Sequence, residues 1–254
     1  MYKRQEVASF AKKSGAVDEI VTDLEKAVTK ADLLYLCMRP EEILDFLKRY
    51  GAKAKAGAII TDIGGVKQDI MEEANRLPKK VAFIGGHPMT GKERGGFAHA
   101  DAEIFKGANY ILIPRKGTPQ SAIAKIERFI HHLGCKNIIY STVEIHDAQI
   151  AYTSQLMHVL AAAVAESDLY LASKGYDGNS FRGTTRVARL DAQMWADLFL
   201  RNREPLNRSI RELAKHLTEY SQLLDAGNRE ALEKRLAQVT MKKIQWDNKE
   251  IGGK

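Results

Sequence analysis

One apolar run decides the fold class of the first half of the chain, Val81-Ala82-Phe83-Ile84-Gly85-Gly86. A short continuous apolar run of this kind, bounded by turn residues, is typical of a strand that is buried on both faces. Similar runs lie upstream at residues 33–38 and 58–63, and amphipathic helical patterns separate them at residues 41–50 and 66–77. This alternation of strands and helices predicts an α/β unit built on a parallel sheet.

The same texture continues downstream and then changes. Two more strands are predicted at residues 109–114 and 135–140, with an amphipathic helix at residues 118–133 between them. At residues 141–142 a Ser-Thr helix cap begins a region without strand signals. Its predicted helices span residues 143–173, 191–202, 204–226 and 229–249. We therefore predict two domains, an α/β domain over residues 1–141 and an all-helical domain over residues 142–254.

Composition limits the function classes. The chain of 254 residues is 44% hydrophobic and 28% charged, which suits a globular protein with a buried core. Its net charge of +7 comes from Lys and Arg scattered among Asp and Glu, so we expect no nucleic acid partner. No run of about 18 apolar residues and no basic-then-apolar leader is present, so we expect no membrane partner and a cytoplasmic location. Cys37 and Cys135, distant and without neighbouring histidines, are expected to be reduced, buried thiols with no metal.

The candidate chemistry begins with a histidine at the end of the third strand, in the block Gly85-Gly86-His87-Pro88-Met89-Thr90-Gly91. Ligands of open α/β sheets bind at the carboxyl ends of the strands, so His87 is expected at the active edge. An imidazole can accept a proton from a substrate hydroxyl near neutral pH. The alternative is a turn histidine that is hydrogen-bonded to its own loop. The flanking glycines give the catalytic interpretation and this alternative about equal weight.

Three blocks together resemble the prephenate dehydrogenase family. The first, from residue 85 to residue 97, is similar to the family's Gly-Gly-His-Pro-(Met/Ile)-x-Gly-x-Glu-x-x-Gly pattern. The second, from residue 61 to residue 67, is similar to its Asp-x-Gly-Ser-Val-Lys turn. The third, from residue 181 to residue 197, is similar to Phe-(Arg/Lys)-Asp-x-Thr-Arg-Ile-Ala followed by Asp-Pro-x-Met-Trp. The resemblance implies a Rossmann-like nucleotide-binding domain followed by an all-α dimerisation domain.

The resemblance also implies an activity. It is the oxidative decarboxylation of prephenate to 4-hydroxyphenylpyruvate in tyrosine biosynthesis, with NAD or NADP as cofactor and a homodimer as the assembly. His87 is then the catalytic residue, and Arg186 binds a substrate carboxylate through its guanidinium fork. The other implied substrate-binding residues are His158, Gly65, Thr90 and Gly91. The implied cofactor-binding residues lie at strand ends and are Met38, Arg39, Pro40, Asp62 and Gly64.

The sequence departs from the family pattern at two positions of the site. Gly65 stands where the family has a serine that helps to hold the substrate hydroxyl and the histidine. Gln155 stands in place of the first histidine of the family's Ser-His-Leu-Pro-His segment, which His158 ends. His146 is more readily explained as part of a polar stripe at a helix interface, and Trp195 as core packing.

The family's Gly-x-Gly-x-x-Gly loop is not found in the chain. We therefore expect an N-terminally truncated chain that starts about 30 residues late, with an edge strand near Val21 and weak or no binding of NAD or NADP. Two alternatives stay open. Arogenate dehydrogenase is one, because arogenate differs from prephenate only where an amine replaces the side-chain keto group. A non-catalytic or regulatory fragment is the other.

Overall fold

The computed structural model describes residues 2–92 and 96–251, with side chains from residue 6 onward. Residues 93–95 of the glycine-rich block after His87 lie outside the described residues. The chain divides into two compact units, Met1–Val143 and Glu144–Lys254. We describe each unit by itself.

The first unit is a sheet of five strands in the order β1-β2-β3-β4-β5. The strands are β1 Leu33–Leu36, β2 Ile59–Asp62, β3 Ala82–Pro88, β4 Asn109–Pro114 and β5 Asn137–Tyr140. The helices are α1 Tyr2–Lys13, α2 Leu24–Lys30, α3 Pro40–Tyr50, α4 Gln68–Ala74 and α5 Gln120–His132. β1 pairs with β2, and β2 with β3, in parallel, as the alternation of strands and helices predicts. The α/β class of this unit is confirmed.

The sheet is mixed and not wholly parallel. β4 runs antiparallel to β3, with His87 opposite Ile111, and β5 runs parallel to β4. The described part of the connection between β3 and β4 contains only two 3-10 turns, Phe97–His99 and Ala102–Phe105. Parallel neighbours need a crossover of a dozen or more residues that is usually helical, whereas antiparallel neighbours do not. The lack of a crossover helix in the described part of this connection fits the change of direction.

Each face of the sheet has its own apolar core. Ile60 and Phe83 belong to one cluster, which α3 and α4 complete with side chains such as Leu47. Leu112 belongs to the cluster on the other face, which α5 completes with Ile126. Burial of each such side chain contributes about 1.5–3 kcal/mol, so the two cores hold the strand ends in a fixed position.

Three expectations for this unit need correction. β1 is only partly buried, because it is an edge strand, and is not buried on both faces. No strand forms around Val21, where residues 17–23 are irregular and largely exposed, because a strand needs a hydrogen-bonded neighbour and no described segment pairs with it. Cys37 is exposed at the end of β1, whereas Cys135 is buried as expected.

The second unit has helices and no strand among its described residues, which confirms the prediction. It contains α6 Val143–Ile150, α7 Leu156–Ala165, α8 Leu169–Ala172, α9 Asn179–Thr185, α10 Ala192–Arg201, α11 Arg203–Asp225 and α12 Arg229–Asp247. The long helix predicted over residues 143–173 is interrupted by a π-helical turn, Ala151–Gln155, and again after Ala165. No described helix is long and apolar enough to cross a lipid bilayer.

A buried polar network holds the π-helical turn in place. The Asn202 side chain donates to the Asp147 carbonyl at 2.9 Å and to the Gln155 amide oxygen at 2.7 Å. The Gln155 amide nitrogen donates in turn to the Leu198 carbonyl at 3.0 Å. Gln155 and Asn202 are both 2% exposed, so these bonds satisfy groups that water cannot reach. Gln155 thus has a structural role inside the helical unit.

Candidate active site

The strand-end histidine lies where two neighbouring strands stop pairing. The parallel ladder between β2 and β3 ends at the pair Thr61 and Ile84. β3 continues to Pro88 and pairs only with β4 along that last stretch. His87, partly buried, is therefore on the part of β3 that β2 no longer covers. Such an opening at the carboxyl end of a parallel strand pair is a usual ligand site of α/β folds.

A buried carboxylate links the ends of β2 and β3. One oxygen of Asp62, Oδ1, accepts the backbone N–H of Gly86 at 3.2 Å. The other, Oδ2, accepts the backbone N–H of Gly64 at 2.8 Å and an ion-paired hydrogen bond from the Lys67 ammonium. The side chains of Asp62 and Lys67 are both 0% exposed. Charge-assisted bonds of this kind are about twice as strong as neutral ones, so the carboxylate fixes the turn after β2 against β3.

Two of the glycines are required by the close approach of Asp62. A Cβ at Gly64 would lie 2.9 Å from Asp62 Oδ2 and 2.7 Å from the side chain of Ile70. A Cβ at Gly86 would lie 2.6 Å from the Asp62 carbonyl oxygen and 2.7 Å from the Tyr110 hydroxyl. Contacts this short cannot be relieved without moving backbone or buried side chains. The sequence suggests Asp62 and Gly64 as cofactor contacts, and the structure places both in the packing beneath the turn.

Gly65 faces the candidate catalytic ring. A Cβ built on Gly65 would lie 3.9 Å from both Cε1 and Nε2 of His87, an ordinary van der Waals distance. The structure therefore places Gly65 beside His87, which is the neighbour that the resemblance implies for the family's serine at this position. Thr90 and Gly91, two further candidate substrate-binding residues, lie in the loop after β3. The Thr90 hydroxyl donates to the Ile104 carbonyl at 2.7 Å, and Gly91 is exposed.

The predicted cofactor turn lies at the carboxyl end of β1. Met38 and Arg39 connect β1 to α3, and Pro40 is the first residue of that helix. Arg39 is the N-cap residue, and its backbone N–H donates to the Glu42 carboxylate at 3.1 Å. Proline suits the first helical position, because its missing N–H is one that the helix leaves without an intrahelical partner. Because β1, β2 and β3 are parallel neighbours, this turn lies at the same edge of the sheet as the carboxyl ends of β2 and β3.

Three hydroxyl groups that sequence reasoning missed lie on the sheet face beneath this edge. The hydroxyls of Tyr35 and Tyr110 are hydrogen-bonded at 3.0 Å, and burial raises the pKa of Tyr35 to about 12. The Thr61 hydroxyl is buried without a hydrogen-bond partner. Strand periodicity places Tyr35 and Thr61 on one face, but the antiparallel β4 that brings in Tyr110 was not predictable from spacing.

The second set of candidate residues lies in the helical unit. His158 Nδ1 is 2.9 Å from the Ser154 carbonyl oxygen, so that nitrogen carries a hydrogen and Nε2 is the acceptor of the neutral ring. Partial burial lowers the pKa of His158, and the nearby Arg186 guanidinium lowers it further, while the bond to Ser154 opposes both. Trp195 stacks on the His158 ring at 3.7 Å between centroids and 29° between planes. The expectation of core packing for Trp195 is therefore wrong, because the indole is only partly buried and covers the imidazole.

Arg182 and Arg186, two of the three arginines of the third block, are both exposed. Arg186 is exposed and begins a 3-10 turn, Arg186–Ala188, directly after α9. Arg182 is held in an ion pair with Asp177 at 2.6 Å. His146 is fully buried beside Asp147, with 2.6 Å between Nδ1 and Oδ1, which favours the structural interpretation given to it. Within the described residues no cluster of three or more metal-ligating side chains occurs.

Comparison with known proteins decides the family. A family model described as the nucleotide-binding domain of prephenate dehydrogenase matches residues 2–139. A second, described as the dimerization domain of prephenate dehydrogenase, matches residues 142–238. The chain belongs to the prephenate dehydrogenase family. Its Rossmann-like first unit and helical second unit are the two parts of that fold, as the sequence predicts.

Individual members of the prephenate dehydrogenase family agree with this assignment. A prephenate dehydrogenase of Lactococcus lactis is 34% identical over 238 residues, which cover 91% of this chain and 65% of the relative. The crystal structure of Synechocystis arogenate dehydrogenase matches with a TM-score of 0.82 and 27% identity, over 95% of this chain and 88% of the other. That of Aquifex aeolicus prephenate dehydrogenase with hydroxyphenyl propionate and NAD+ also has a TM-score of 0.82 and 27% identity, over 93% and 84%. The chain thus spans less than two thirds of the curated Lactococcus relative.

The residues present fit one end of a nicotinamide dinucleotide. The edge formed by the turn after β1 and the ends of β2 and β3 carries the small residue Gly65 beside the partly buried His87 ring. Among residues 2–92 and 96–251, no strand is followed by the Gly-x-Gly-x-x-Gly turn that binds the pyrophosphate in such folds. The fit therefore concerns the nicotinamide end of the cofactor.

Proposed function

We propose that the chain carries the oxidative decarboxylation of prephenate to 4-hydroxyphenylpyruvate, with NAD or NADP as cofactor, a step of tyrosine biosynthesis. The observation that carries the proposal is the strand-end site: His87 lies beyond the end of the β2·β3 ladder with Gly65 facing its ring at 3.9 Å. Membership of the family supports the same activity.

His87 is the proposed proton acceptor. Removal of a hydride from the ring carbon that bears the hydroxyl turns that hydroxyl into a carbonyl, and its proton must leave at the same time. A bound nicotinamide ring supplies the hydride acceptor. The glycine at position 65 leaves room beside Cε1 and Nε2 of His87 for the substrate oxygen. Departure of the ring carboxylate as carbon dioxide then restores aromaticity and makes the reaction favourable.

Arg186 and His158 are the proposed substrate holders in the helical unit. An exposed guanidinium can bind a carboxylate with two parallel hydrogen bonds, and prephenate has two carboxylates. Trp195 keeps the His158 ring in one orientation by stacking on it. Thr90, Gly91 and Gly65 are proposed to contact the substrate, and Met38, Arg39 and Pro40 the cofactor.

One observation favours arogenate as a second candidate substrate. The Nδ1 hydrogen of His158 is used by the Ser154 carbonyl, and the pKa of the ring is lowered, so a neutral His158 presents Nε2 as a hydrogen-bond acceptor. An acceptor suits the ammonium group of arogenate, whereas the keto oxygen of prephenate needs a donor. The two substrates are therefore to be compared directly.

Turnover with each substrate tests the proposal. Formation of reduced cofactor is measured with prephenate or arogenate and with NAD or NADP, each at saturating concentration. His87→Asn should lower kcat by roughly 10²–10⁴-fold with an unchanged circular dichroism spectrum. Near-normal turnover of this variant would remove His87 from the chemistry. No turnover by the unmodified protein with any of the four pairs would favour the non-catalytic alternative.

Arg186→Ala tests the carboxylate contact, with Arg182→Ala as its matched control. Loss of the Arg186 guanidinium should raise KM for the substrate by about a hundredfold or more, while the affinity for cofactor changes little. Arg182, four residues earlier, is already paired with Asp177, so its removal should leave KM nearly unchanged. Equal effects of the two substitutions would contradict the assignment of Arg186.

We also propose that the helical unit forms a homodimer. Its family model is described as a dimerization domain. Large apolar side chains of this unit are exposed, among them Leu169 at 75%, Leu171 at 86%, Leu200 at 69% and Leu224 at 67%. Apolar side chains in such number are usual at a protein interface.

A further inference from the structure

The Asp62–Lys67 ion pair lies outside the chemistry described above, yet it is connected to both sides of the site. Gly64, whose N–H bonds to Asp62 Oδ2, directly precedes Gly65. Gly86, whose N–H bonds to Asp62 Oδ1, directly precedes His87. Gly65 and His87 are the two residues that face each other at 3.9 Å. The Asp62 carboxylate therefore holds the backbone on each side of the candidate reaction centre. On one side it holds the residue before Gly65, and on the other the residue before His87.

The Gly86 amide needs this acceptor because of the strand geometry. The β2·β3 ladder ends at Thr61 and Ile84, so beyond that pair β2 supplies no ladder partner for the edge of β3. A buried N–H without an acceptor would be costly, and Asp62, the last residue of β2, supplies a side-chain oxygen in place of a backbone carbonyl. The strands can part to open the site without leaving that amide unsatisfied.

Lys67 is placed where a helix by itself does not favour it. It is the N-cap residue of α4, and a positive charge at a helix N-terminus is opposed by the helix dipole. Its side chain is fully buried and ion-paired with Asp62. A buried carboxylate that has no counter-charge is strongly destabilising. Lys67 supplies that counter-charge to Asp62, whose two oxygens accept the amides of Gly64 and Gly86.

We propose that Asp62 and Lys67 are positioning residues for His87: the buried pair sets the separation between the Gly65 backbone and the His87 ring. The proposal rests on the proposed role of His87 and gives Asp62 a positioning role in place of a cofactor contact. Displacement of a reacting group by about 1 Å can cost about a hundredfold in rate, so loss of the pair should act on kcat more than on KM.

The test separates positioning from simple stability with three variants. Lys67→Met leaves a buried carboxylate without its partner and should lower both Tm and kcat. The double variant Asp62→Asn with Lys67→Met removes both charges and should recover most of the Tm. An asparagine accepts with one oxygen only, so it holds one of the two amides, and kcat should stay about ten- to a hundredfold low with KM within about threefold. Recovery of kcat together with Tm would overturn the proposal.

Lys53→Met is the matched control, because Lys53 forms an exposed ion pair with Glu25 in the same unit. It should change neither Tm nor kcat appreciably. The ring resonances of His87, observed by nuclear magnetic resonance, should shift in Lys67→Met and not in Lys53→Met. This readout needs no turnover, so a failure of the proposed reaction would not be confused with a failure of the positioning role.

A measurement on the unmodified protein keeps the proposal testable if the variants do not fold. The amides of Gly64 and Gly86 should exchange with solvent at least about a hundredfold more slowly than the amide of Gly91, which is exposed in the loop after β3. Exchange of Gly86 as fast as that of Gly91 would mean that Asp62 does not hold the end of β3, and would overturn the proposal.

Discussion

Replacing Gly65 by serine tests how closely the turn after β2 approaches the ring of His87, the proposed proton acceptor. A Cβ at this position lies 3.9 Å from Nε2 of His87, which is ordinary contact. The backbone of Gly65 does not adopt the positive φ found at other glycines of the chain, so a side chain is accepted without strain. A hydroxyl one bond beyond the Cβ comes within hydrogen-bonding reach of the imidazole, about 2.7–3.2 Å.

The expected increase in kcat/KM follows from the free energy of one hydrogen bond. A neutral hydrogen bond contributes a net of about 0.5–1.5 kcal/mol. If it orients His87 in the transition state, kcat/KM should rise by about two- to twelvefold. Gly65→Ala adds the Cβ without the hydroxyl and should give no gain. The rate of reduced-cofactor formation at low substrate concentration measures kcat/KM for the three proteins.

A neighbouring position provides the steric control. Gly64→Ser would place its Cβ 2.7 Å from Ile70 and 2.9 Å from the Asp62 carboxylate, so it should lower the free energy of unfolding by about 1–3 kcal/mol. Gly65→Ser should leave stability nearly unchanged. Equal values of kcat/KM for Gly65→Ser and Gly65→Ala would refute the reasoning, because the hydroxyl would then not reach the ring. A destabilised Gly65→Ser would refute the distance itself.

Three further outcomes are expected. Gly86→Ala should lower the free energy of unfolding by about 3 kcal/mol, since its Cβ would meet the Asp62 carbonyl at 2.6 Å. Gly91→Ala has open space around it and should lower the free energy of unfolding by under about 1 kcal/mol. Denaturant titrations that give similar values for both variants would contradict the packing around Gly86. Burial lowers the pKa of His158 below 6.5, so its contribution to stability is present above pH 6.5 and is lost as the pH falls through that value toward the folded-state pKa. The Tm of the unmodified protein should therefore fall more steeply than that of His158→Gln between about pH 7 and pH 5, and parallel curves would contradict the shift. Sedimentation should show a dimer at micromolar concentration that Leu171→Glu weakens, and a stable monomer of the unmodified protein would contradict the proposed assembly.

The sequence by itself determined the five strands of the sheet, their order along the chain, and the family. A continuous apolar run before Gly86 and a mostly apolar run before Gly64 predict buried strands, because strands covered on both faces are mostly apolar. Because His87 directly follows such a run, the local sequence is enough to place it at a strand end. The helical second half follows from a 3.6-residue periodicity, which is also a property of local sequence.

Only the tertiary structure decided which groups meet. The direction of β4 places Tyr110, and strand spacing does not encode that direction. The described part of the connection before β4 contains only 3-10 turns and no crossover helix. The stacking of Trp195 on His158 joins two helices that are more than 30 residues apart in the chain. The Asp62 carboxylate contacts a turn two residues away and a strand 24 residues away. Long-range partners of this kind are fixed by packing and by the need to satisfy buried amides, and neither is written in local periodicity.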